Sequence, residues 1–309
     1  MDFRTFCWIL GIGITAGTPL LYATLGEVIS ECAGILNLGV EGLMLMGAIT
    51  GFIAAQNTGN LLVALLVVIG LSAIEGLILG FFMITLKSNQ VATGIAYTFL
   101  CTGISTLIGK AYVGANARVR FREISIPGIE KVEWLNLILK HDLLVYVSII
   151  LVILASLYVN KTRPGLHLRA AGNNPGALDS LGVNVLRVRY VHLMIGCILA
   201  GLGGAYLSLA YSPGWIEGMA AGRGWLTIAL VNFALWKPKN AIYGAYLYGI
   251  FYALSYRMEA IGSSIPSYFL RMIPYLLPIL ILIIASIINK NKGSIAPRKL
   301  AVPYSRETR

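Results

Sequence analysis

The 309-residue chain is 57% hydrophobic and 12% charged, about half the charged fraction of a soluble domain, which is roughly 25%. This composition excludes an ordinary soluble protein and predicts one membrane domain, residues 1–289, because no polar stretch is long enough to build a second domain. The formal net charge is +11, but the basic residues gather between and after the apolar segments, which argues against nucleic-acid binding.

Nine apolar segments are candidates for membrane-spanning helices, because a span needs about 20 largely apolar residues. They are residues 6–24, 35–56, 61–86, 91–109, 143–159, 190–210, 223–236, 241–256 and 273–289. The segments at 35–56 and 223–236 are short or interrupted, so the predicted number of spans is eight to ten. The sequence predicts an all-α polytopic membrane protein with broken or re-entrant segments and internal pseudo-repeats.

The segment at residues 26–48 places three acids and an asparagine between apolar runs: Glu27, Glu31, Asn37 and Glu41. The glycines at positions 26, 34, 39 and 42 argue against a continuous helix, and broken helices expose backbone groups at the midplane sites of transporters. If the segment is locally helical, Asn37 and Glu41 share one face and line a translocation pathway. Alternatively, Glu27 and Glu31 lie in a loop while Asn37 and Glu41 cap the following helix.

A second irregular region, residues 212–224, places Glu217 among glycines before a short apolar segment that contains Asn232. Its Glu-Gly pair repeats the Glu-Gly pair that begins at Glu41, as expected of paired interrupted segments around a central site. We therefore interpret Glu217 and Asn232 as candidates for the pathway. The alternative is an ion pair between Glu217 and Arg223 with a purely structural role.

Glycines at four-residue spacing recur inside the apolar segments. Small residues allow helix backbones to pack closely in lipid, where no hydrophobic force acts between helices. The spacing therefore predicts a structural role for Gly13/Gly17, Gly47/Gly51, Gly76/Gly80 and Gly218/Gly222.

Two basic segments, residues 161–189 and the tail at 290–309, flank the last four apolar segments. Lys and Arg are enriched in cytoplasmic loops of membrane proteins, which predicts that both segments are cytoplasmic. The four spans between the two segments return the chain to the same side, which agrees with a cytoplasmic position for both. The span at residues 143–159 precedes the first basic segment, so the loop at residues 110–142 lies outside. That loop also carries six basic residues, which conflicts with the rule.

The centre of the first basic segment favours a short helix. Asn174 can cap it, Pro175 suits its first turn, and Gly182 can adopt the left-handed conformation at its end. Leu178 and Leu181 are three residues apart, which predicts a small apolar plug on one face. An ordinary solvated connection is the alternative.

The sequence predicts no metal site, cofactor or enzymatic activity. The four cysteines are scattered in apolar surroundings and the three histidines form no ligand pair. The chain contains no Gly-x-x-x-x-Gly-Lys-Ser/Thr phosphate loop, so any ATP must be hydrolysed by another protein.

Four strings resemble one known family in the order in which the family shows them. They are Leu25-Gly-Glu-Val-Ile-Ser-Glu31, Gly34-Ile-Leu-Asn-Leu-Gly-Val-Glu-Gly-Leu-Met-Leu-Met-Gly47, Leu168-Arg-Ala-Ala-Gly-Asn-Asn-Pro175 and Gly222-Arg-Gly-Trp-Leu-Thr-Ile-Ala-Leu230. The family is that of the inner-membrane permease subunits of ATP-binding-cassette (ABC) importers for nucleosides and simple sugars, which are related to branched-chain amino acid permeases. The resemblance extends from about residue 21 to about residue 288.

The resemblance implies a multi-pass protein of a prokaryotic inner (plasma) membrane with a cytoplasmic carboxyl terminus. It also implies a second, similar permease subunit, two cytoplasmic ABC ATPase subunits, and an extracellular or periplasmic substrate-binding protein or lipoprotein. Residues 169–182 match the family's coupling loop, which contacts the ATPase. The predicted coupling residues are Arg169, Asn174, Pro175, Leu178, Leu181 and Gly182; at Leu178 these permeases commonly have alanine.

The predicted function is ATPase-driven import of a nucleoside or simple sugar by alternating access, with nucleoside the first choice. A site of asparagine and aromatic side chains such as Tyr97 suits these polar substrates, although Tyr97 also suits a packed position. The alternatives are a permease for monosaccharides or branched-chain amino acids, or an ion-coupled secondary transporter with Glu41 and Glu217 as coupling carboxylates.

Overall fold

The computed structural model describes residues 3–125, 133–262, 266–289 and 296–305. These residues form an all-α fold without a β-strand, apart from two isolated β-bridges. The helices are α1 (Phe3–Cys32), α2 (Val40–Thr58), α3 (Leu61–Gly80), α4 (Gln90–Gly109), α5 (Glu133–Leu139), α6 (Leu143–Lys161), α7 (Arg163–Asn173), α8 (Pro175–Ser180), α9 (Val185–Tyr206), α10 (Arg223–Ala234), α11 (Pro238–Ala260) and α12 (Ser267–Asn289). The predicted all-α class is confirmed. Within the predicted tail, residues 290–295 and 306–309 lie outside the described residues.

Five helices of the described part are long and apolar enough to cross a membrane: Phe3–Cys32, Leu61–Thr85, Gln90–Tyr112, Leu143–Lys161 and Val185–Tyr211. The first and last of them form the centre of the bundle, since 67% and 72% of their most apolar windows are buried. The other three are only 22–28% buried and present aliphatic side chains outward, as helices in contact with lipid do.

Helix α10, in the segment predicted at residues 223–236, is too short to span. Its 12 residues reach about 18 Å at 1.5 Å per residue, whereas a hydrocarbon core is about 30 Å thick. This segment is therefore a half-helix, as its interrupted sequence predicts.

The segment at residues 26–48 is broken as its glycines predict, but the break includes Gly34 and Gly39 and not Gly26. Helix α1 passes Gly26 without interruption and ends at Cys32, so Glu27 and Glu31 are helical and not in a loop. Gly26 is instead a contact point, because a Cβ atom there would lie 2.5 Å from the Gly196 carbonyl oxygen of α9. Residues 33–39, called the elbow from here on, form the non-helical connection to α2.

Two units of four helices, α1–α4 and α9–α12, pack in corresponding ways. Helix α2 contacts α3, α4 and α9, as α10 contacts α11, α12 and α1. Helix α3 packs on α9, as α11 packs on α1. In each unit an irregular segment separates the first helix from the second. The elbow does so between α1 and α2, and residues 212–222 do so between α9 and α10.

The two units run in opposite directions. The carboxyl end of α1 meets α7 at the end of the bundle that carries α7 and α8, called the hairpin end. The carboxyl end of α9 meets residues 116–121 at the opposite, loop end, where the Leu209 carbonyl accepts from the Phe121 N–H. This antiparallel relation is that of an inverted repeat.

Close helix contacts occur at three of the four predicted glycine pairs. A Cβ atom at Gly13 or Gly17 would overlap the backbone of α11, and one at Gly47 would overlap Gly201 of α9. Gly76 lies against Met194, and Gly80 lies against the Tyr190 ring. The fourth pair, Gly218/Gly222, contacts nothing within 4 Å and has φ angles of +66° and +80°, so the packing prediction is wrong there.

We predict that Gly47→Ala destabilises the bundle, because the new methyl group meets the fixed Gly201 backbone and not a movable side chain. Overpacking of this kind costs about 1–3 kcal/mol. A lower melting temperature, by roughly 2–10 °C, is the expected result for the purified protein in detergent.

The matched control is Gly70→Ala. Gly70 is exposed on α3, and a Cβ atom there would meet no atom within 4 Å. The melting temperature of the Gly70→Ala variant is therefore expected to equal that of the wild type. Equal effects of the two substitutions would contradict the assigned contact.

Candidate functional site

The predicted short helix is present at the hairpin end. The Asn174 side chain accepts a hydrogen bond from the Ala177 N–H at 3.1 Å, and Pro175 occupies the first position of α8. Gly182 follows the helix with φ +76°, and its N–H donates to the Asp179 carbonyl at 2.9 Å. Backbone chemistry encoded within nine residues therefore builds α8, as the sequence predicts.

The two leucines of this helix do not form one apolar face, so that prediction is wrong. Leu178 is 1% exposed and packs in a cluster with Ala171 and Val185, whereas Leu181 is 79% exposed. Leu181 follows the last residue of α8, where the chain turns towards Gly182, and it leaves the helical face. One leucine fastens α8 to the bundle and the other points away from it.

Arg169 lies on α7 and is exposed, and Pro175 is buried. Two more leucines on the same end of the bundle, Leu166 and Leu186, are 57% and 41% exposed. The hairpin end thus combines exposed leucines with exposed positive charge.

A carboxylate joins the two helix breaks in the interior. Glu41 lies in the first turn of α2, and its Oε1 accepts from the Gly222 N–H at 2.8 Å. Its Oε2 accepts from the Gly224 N–H at 2.6 Å, at the start of α10. A carboxylate is stabilised by free N–H groups at a helix amino terminus, and both oxygens of Glu41 are used at the start of α10 while the charge itself lies in the first turn of α2.

Asn37 and Tyr97 lie close to this bridge, so three of the five predicted pathway residues gather at the elbow. Asn37 is fully buried in the non-helical elbow, where its Oδ1 accepts from the Gly39 N–H at 2.9 Å. The half-buried Tyr97 lies against Gly39 and interacts with the Glu75 carboxyl. Asn37 and Glu41 therefore do not share a helical face.

The other two predicted pathway residues lie elsewhere. Glu217 is exposed in the loop before α10, and Asn232 is exposed on α10, where its amide donates to the Ile228 carbonyl at 3.2 Å. No ion pair joins Glu217 to Arg223 among the described residues. The Arg223 guanidinium donates to the Met219 and Ala220 carbonyls at 3.1 and 3.3 Å.

A tyrosine cluster next to Arg223 was not predicted. The guanidinium carbon lies 5.5 Å from the Tyr211 ring centre and 5.7 Å from that of Tyr252, at distances typical of cation–π contacts. The Tyr252 and Tyr256 rings are 4.8 Å apart, and their hydroxyls hydrogen-bond at 3.1 Å. Tyr256 is 51% exposed, so the cluster opens at the surface.

The sequence did contain a signal for this cluster. Tyrosines at positions 248, 252 and 256 recur every four residues and so share one face of α11. Tyr248 stacks on Tyr252 with ring centres 6.1 Å apart.

No group of three or more metal-ligating side chains occurs in the described parts of the chain. The four cysteines, Cys7, Cys32, Cys101 and Cys197, are buried, as predicted for small core residues, and none of them forms a disulfide.

The family model for the permease component of branched-chain amino acid transport systems matches residues 9–286. The putative glucose ABC transporter permease protein TsgC13 of Haloferax volcanii is 37% identical over 83% of this chain and 79% of its own length. The guanosine ABC transporter permease protein NupQ of Bacillus subtilis is 30% identical over 93% of this chain and 92% of its own length. The nucleoside ABC transporter permease protein NupC of Lactococcus lactis is 29% identical over 93% of each chain.

No solved structure matches the chain significantly. The family match covers nearly all of the described helices, and the relatives match along most of their own lengths. The chain therefore belongs to the family of branched-chain amino acid transport system permease components and is a membrane-embedded permease subunit of an ABC transporter.

Proposed function

We propose that this permease imports a nucleoside or a simple sugar across a prokaryotic inner membrane, using eight to ten spans and alternating access. Two separate ABC ATPase subunits supply the energy, a second similar permease completes the pathway, and an extracellular binding protein delivers the substrate. The observation that carries the proposal is the hairpin formed by α7 and α8. Asn174 caps α8, the buried Leu178 anchors it to the bundle, and Leu181 presents an exposed apolar side chain.

Leu181 is the contact that we assign to the ATPase. It is 79% exposed, while Leu178 holds the helix beneath it in place. An exposed leucine on a rigid turn suits a groove on a partner, since little conformational freedom is lost on docking. Arg169, Asn174, Pro175 and Gly182 shape and flank this turn in the proposed coupling role.

The charges at the two ends support the proposed sidedness. Exposed Arg163, Arg169 and Arg187 favour a cytoplasmic hairpin end. At the loop end, Arg118 and Arg120 are also exposed, although the loop at residues 110–142 is assigned to the outside of the membrane. Both arginines line a groove, which gives these external basic residues a role in binding. A positive rim there would attract an acidic surface of the binding protein.

The tyrosine cluster and the named relatives support the proposed substrate class. Tyr252 and Tyr256 offer ring faces beside the Arg223 guanidinium, and the buried Arg223 Nε has no hydrogen-bond partner. Aromatic rings stack on nucleobases and on the apolar faces of sugars, while a guanidinium donates to their polar edges. The relatives named for guanosine and nucleosides make a nucleoside the first choice, with glucose-like sugars second.

The Glu41 geometry disfavours an ion-coupled secondary transporter. Both carboxylate oxygens accept backbone hydrogen bonds from α10, so the group is engaged in joining helices. Glu217 lies in an exposed loop.

We expect Leu181→Asp to reduce ATPase stimulation and substrate uptake by about tenfold or more, equivalent to about 1.4 kcal/mol of coupling. The side chain is exposed, so the melting temperature of the permease should not change. Both activities would be measured with the complete importer in proteoliposomes.

The control is Leu166→Asp, an equally apolar and 57% exposed position on α7 outside the α8 turn, which should retain stimulation. Leu178→Asp is a second comparison and should lower the melting temperature, because it buries a charge. Wild-type stimulation in Leu181→Asp would remove the coupling role.

The energy source gives a direct test against the secondary transporter. Uptake in proteoliposomes should require ATP and persist when a protonophore collapses the proton gradient. Uptake that continues without ATP but stops with the protonophore would identify the ion-coupled alternative.

Tyr252→Ala should weaken substrate binding because it removes one ring on which the base can stack. Such stacking contributes about 1–3 kcal/mol per base, which corresponds to roughly a 5- to 150-fold change in affinity. The expected result is a raised KM for nucleoside uptake with unchanged ATPase docking. Tyr243→Ala is the control, since Tyr243 is 68% exposed on the same helix outside the cluster. Identical uptake kinetics in the two variants would exclude Tyr252 from the pathway.

A further inference from the structure

The last described residues of the chain lie across the hairpin end and join two distant segments. The Lys299 N–H donates to the Gly172 carbonyl of α7 at 2.8 Å, and the Ala301 N–H donates to the Gly34 carbonyl of the elbow at 3.1 Å. The Arg298 N–H donates to the Asn173 Oδ1 at 3.3 Å. Residues 297–304, called the strap from here on, thus bond to the hairpin and to the elbow at once.

A buried arginine fastens the strap. Arg189 on α9 is 2% exposed, and its Nη1 donates to the Val302 carbonyl of the strap at 3.0 Å. Its Nη2 donates to the Ala171 carbonyl of α7 at 3.3 Å. Among the described residues no carboxylate pairs with Arg189. A charge buried with only backbone acceptors is costly, so its presence points to a positioning role.

The crossing point admits only glycine. Gly34 has a φ of +88°, and a Cβ atom there would lie 2.9 Å from Arg189 Nη2 and 3.1 Å from the Lys299 carbonyl oxygen. A Cβ at Gly172 would overlap the Cys32 carbonyl at the end of α1. The elbow, the strap and the end of α7 are therefore in direct backbone contact.

The strap also reaches the anchor of α8. Tyr304 packs against the cluster of Ala171, Leu178 and Val185, which holds the buried leucine of the hairpin. On its far side the elbow leads through Gly39 into α2, where Glu41 bonds to the start of α10. Contacts consequently run from α8 through the strap and the elbow to α2 and α10.

We propose that the strap is a mechanical tie that transmits displacement of the hairpin to the elbow, and that Arg189 is the positioning residue that holds it. When the ATPase moves α8, the strap pulls on Gly34, and the Glu41 bridge carries the shift to α10. This inference rests on the proposed function and adds to it the route between the docking turn and the pathway.

The test measures substrate imported per ATP hydrolysed by the complete importer in proteoliposomes. Ala301→Pro removes the N–H that bonds to Gly34, and proline cannot adopt the φ of +60° found there. Because the change is confined to the strap, we expect the complex to assemble and hydrolyse ATP while the import ratio falls at least about threefold.

Two matched controls accompany this variant. Ala301→Gly keeps the donor and suits the positive φ, so its ratio should equal that of the wild type. Arg189→Met should lower the ratio as Ala301→Pro does, whereas Arg187→Met, at an exposed position two residues earlier, should not.

Hydrogen–deuterium exchange on the same complexes distinguishes a tie from a merely stabilising contact. Amides of both the strap and the elbow should exchange faster in Ala301→Pro and Arg189→Met, with the rest of the bundle unchanged. A wild-type import ratio in Ala301→Pro overturns the proposal, as does a lowered ratio without faster exchange in the elbow. Failure of the wild-type importer to couple uptake to ATP would instead refute the proposed function.

Discussion

The fold depends on one carboxylate placed between two interrupted helices. Glu41 satisfies N–H groups at the start of α10 while lying in the first turn of α2. Helix amino termini carry unpaired donors and partial positive charge, and inside a membrane no water is present to compensate them. Without this carboxylate the amino termini of α2 and α10 would meet with like partial charges. The inverted units can therefore approach at their breaks because one side chain in the first turn of α2 accepts from the N–H groups that begin α10.

Glycine determines how closely the two units pack around this bridge. At Gly47 and Gly204 the backbones of α2 and α9 are in direct contact, and at Gly13 and Gly249 those of α1 and α11 are. These contacts relate each central helix to a helix of the other unit. A movement of α2 relative to α9 thus has to shift two backbones that touch directly, together with the buried side chains packed between the two helices.

Local features were predictable from the sequence, and features set by distant partners were not. The cap, first turn and left-handed end of α8 depend on residues 174–182 alone, and all three are present. The opposite orientations of Leu178 and Leu181 depend on packing against α9, which spacing on one helix does not specify. The partners of Glu41 lie about 180 residues away, so the sequence showed an unusual acid but not the donors it serves. Gly26 and Gly222 illustrate the same limit, since one is a packing contact and the other a turn, and composition alone does not separate them.

The position of the strap has a practical consequence for handling the protein. Ser305, the last described residue, borders the two grooves beside α8, next to Pro303 and Asp179. An affinity tag or fluorescent protein fused after this residue would emerge against the surface assigned to the ATPase. Such a fusion would compete with assembly of the importer during purification, whereas one placed ahead of α1 would emerge at the opposite pole of the molecule.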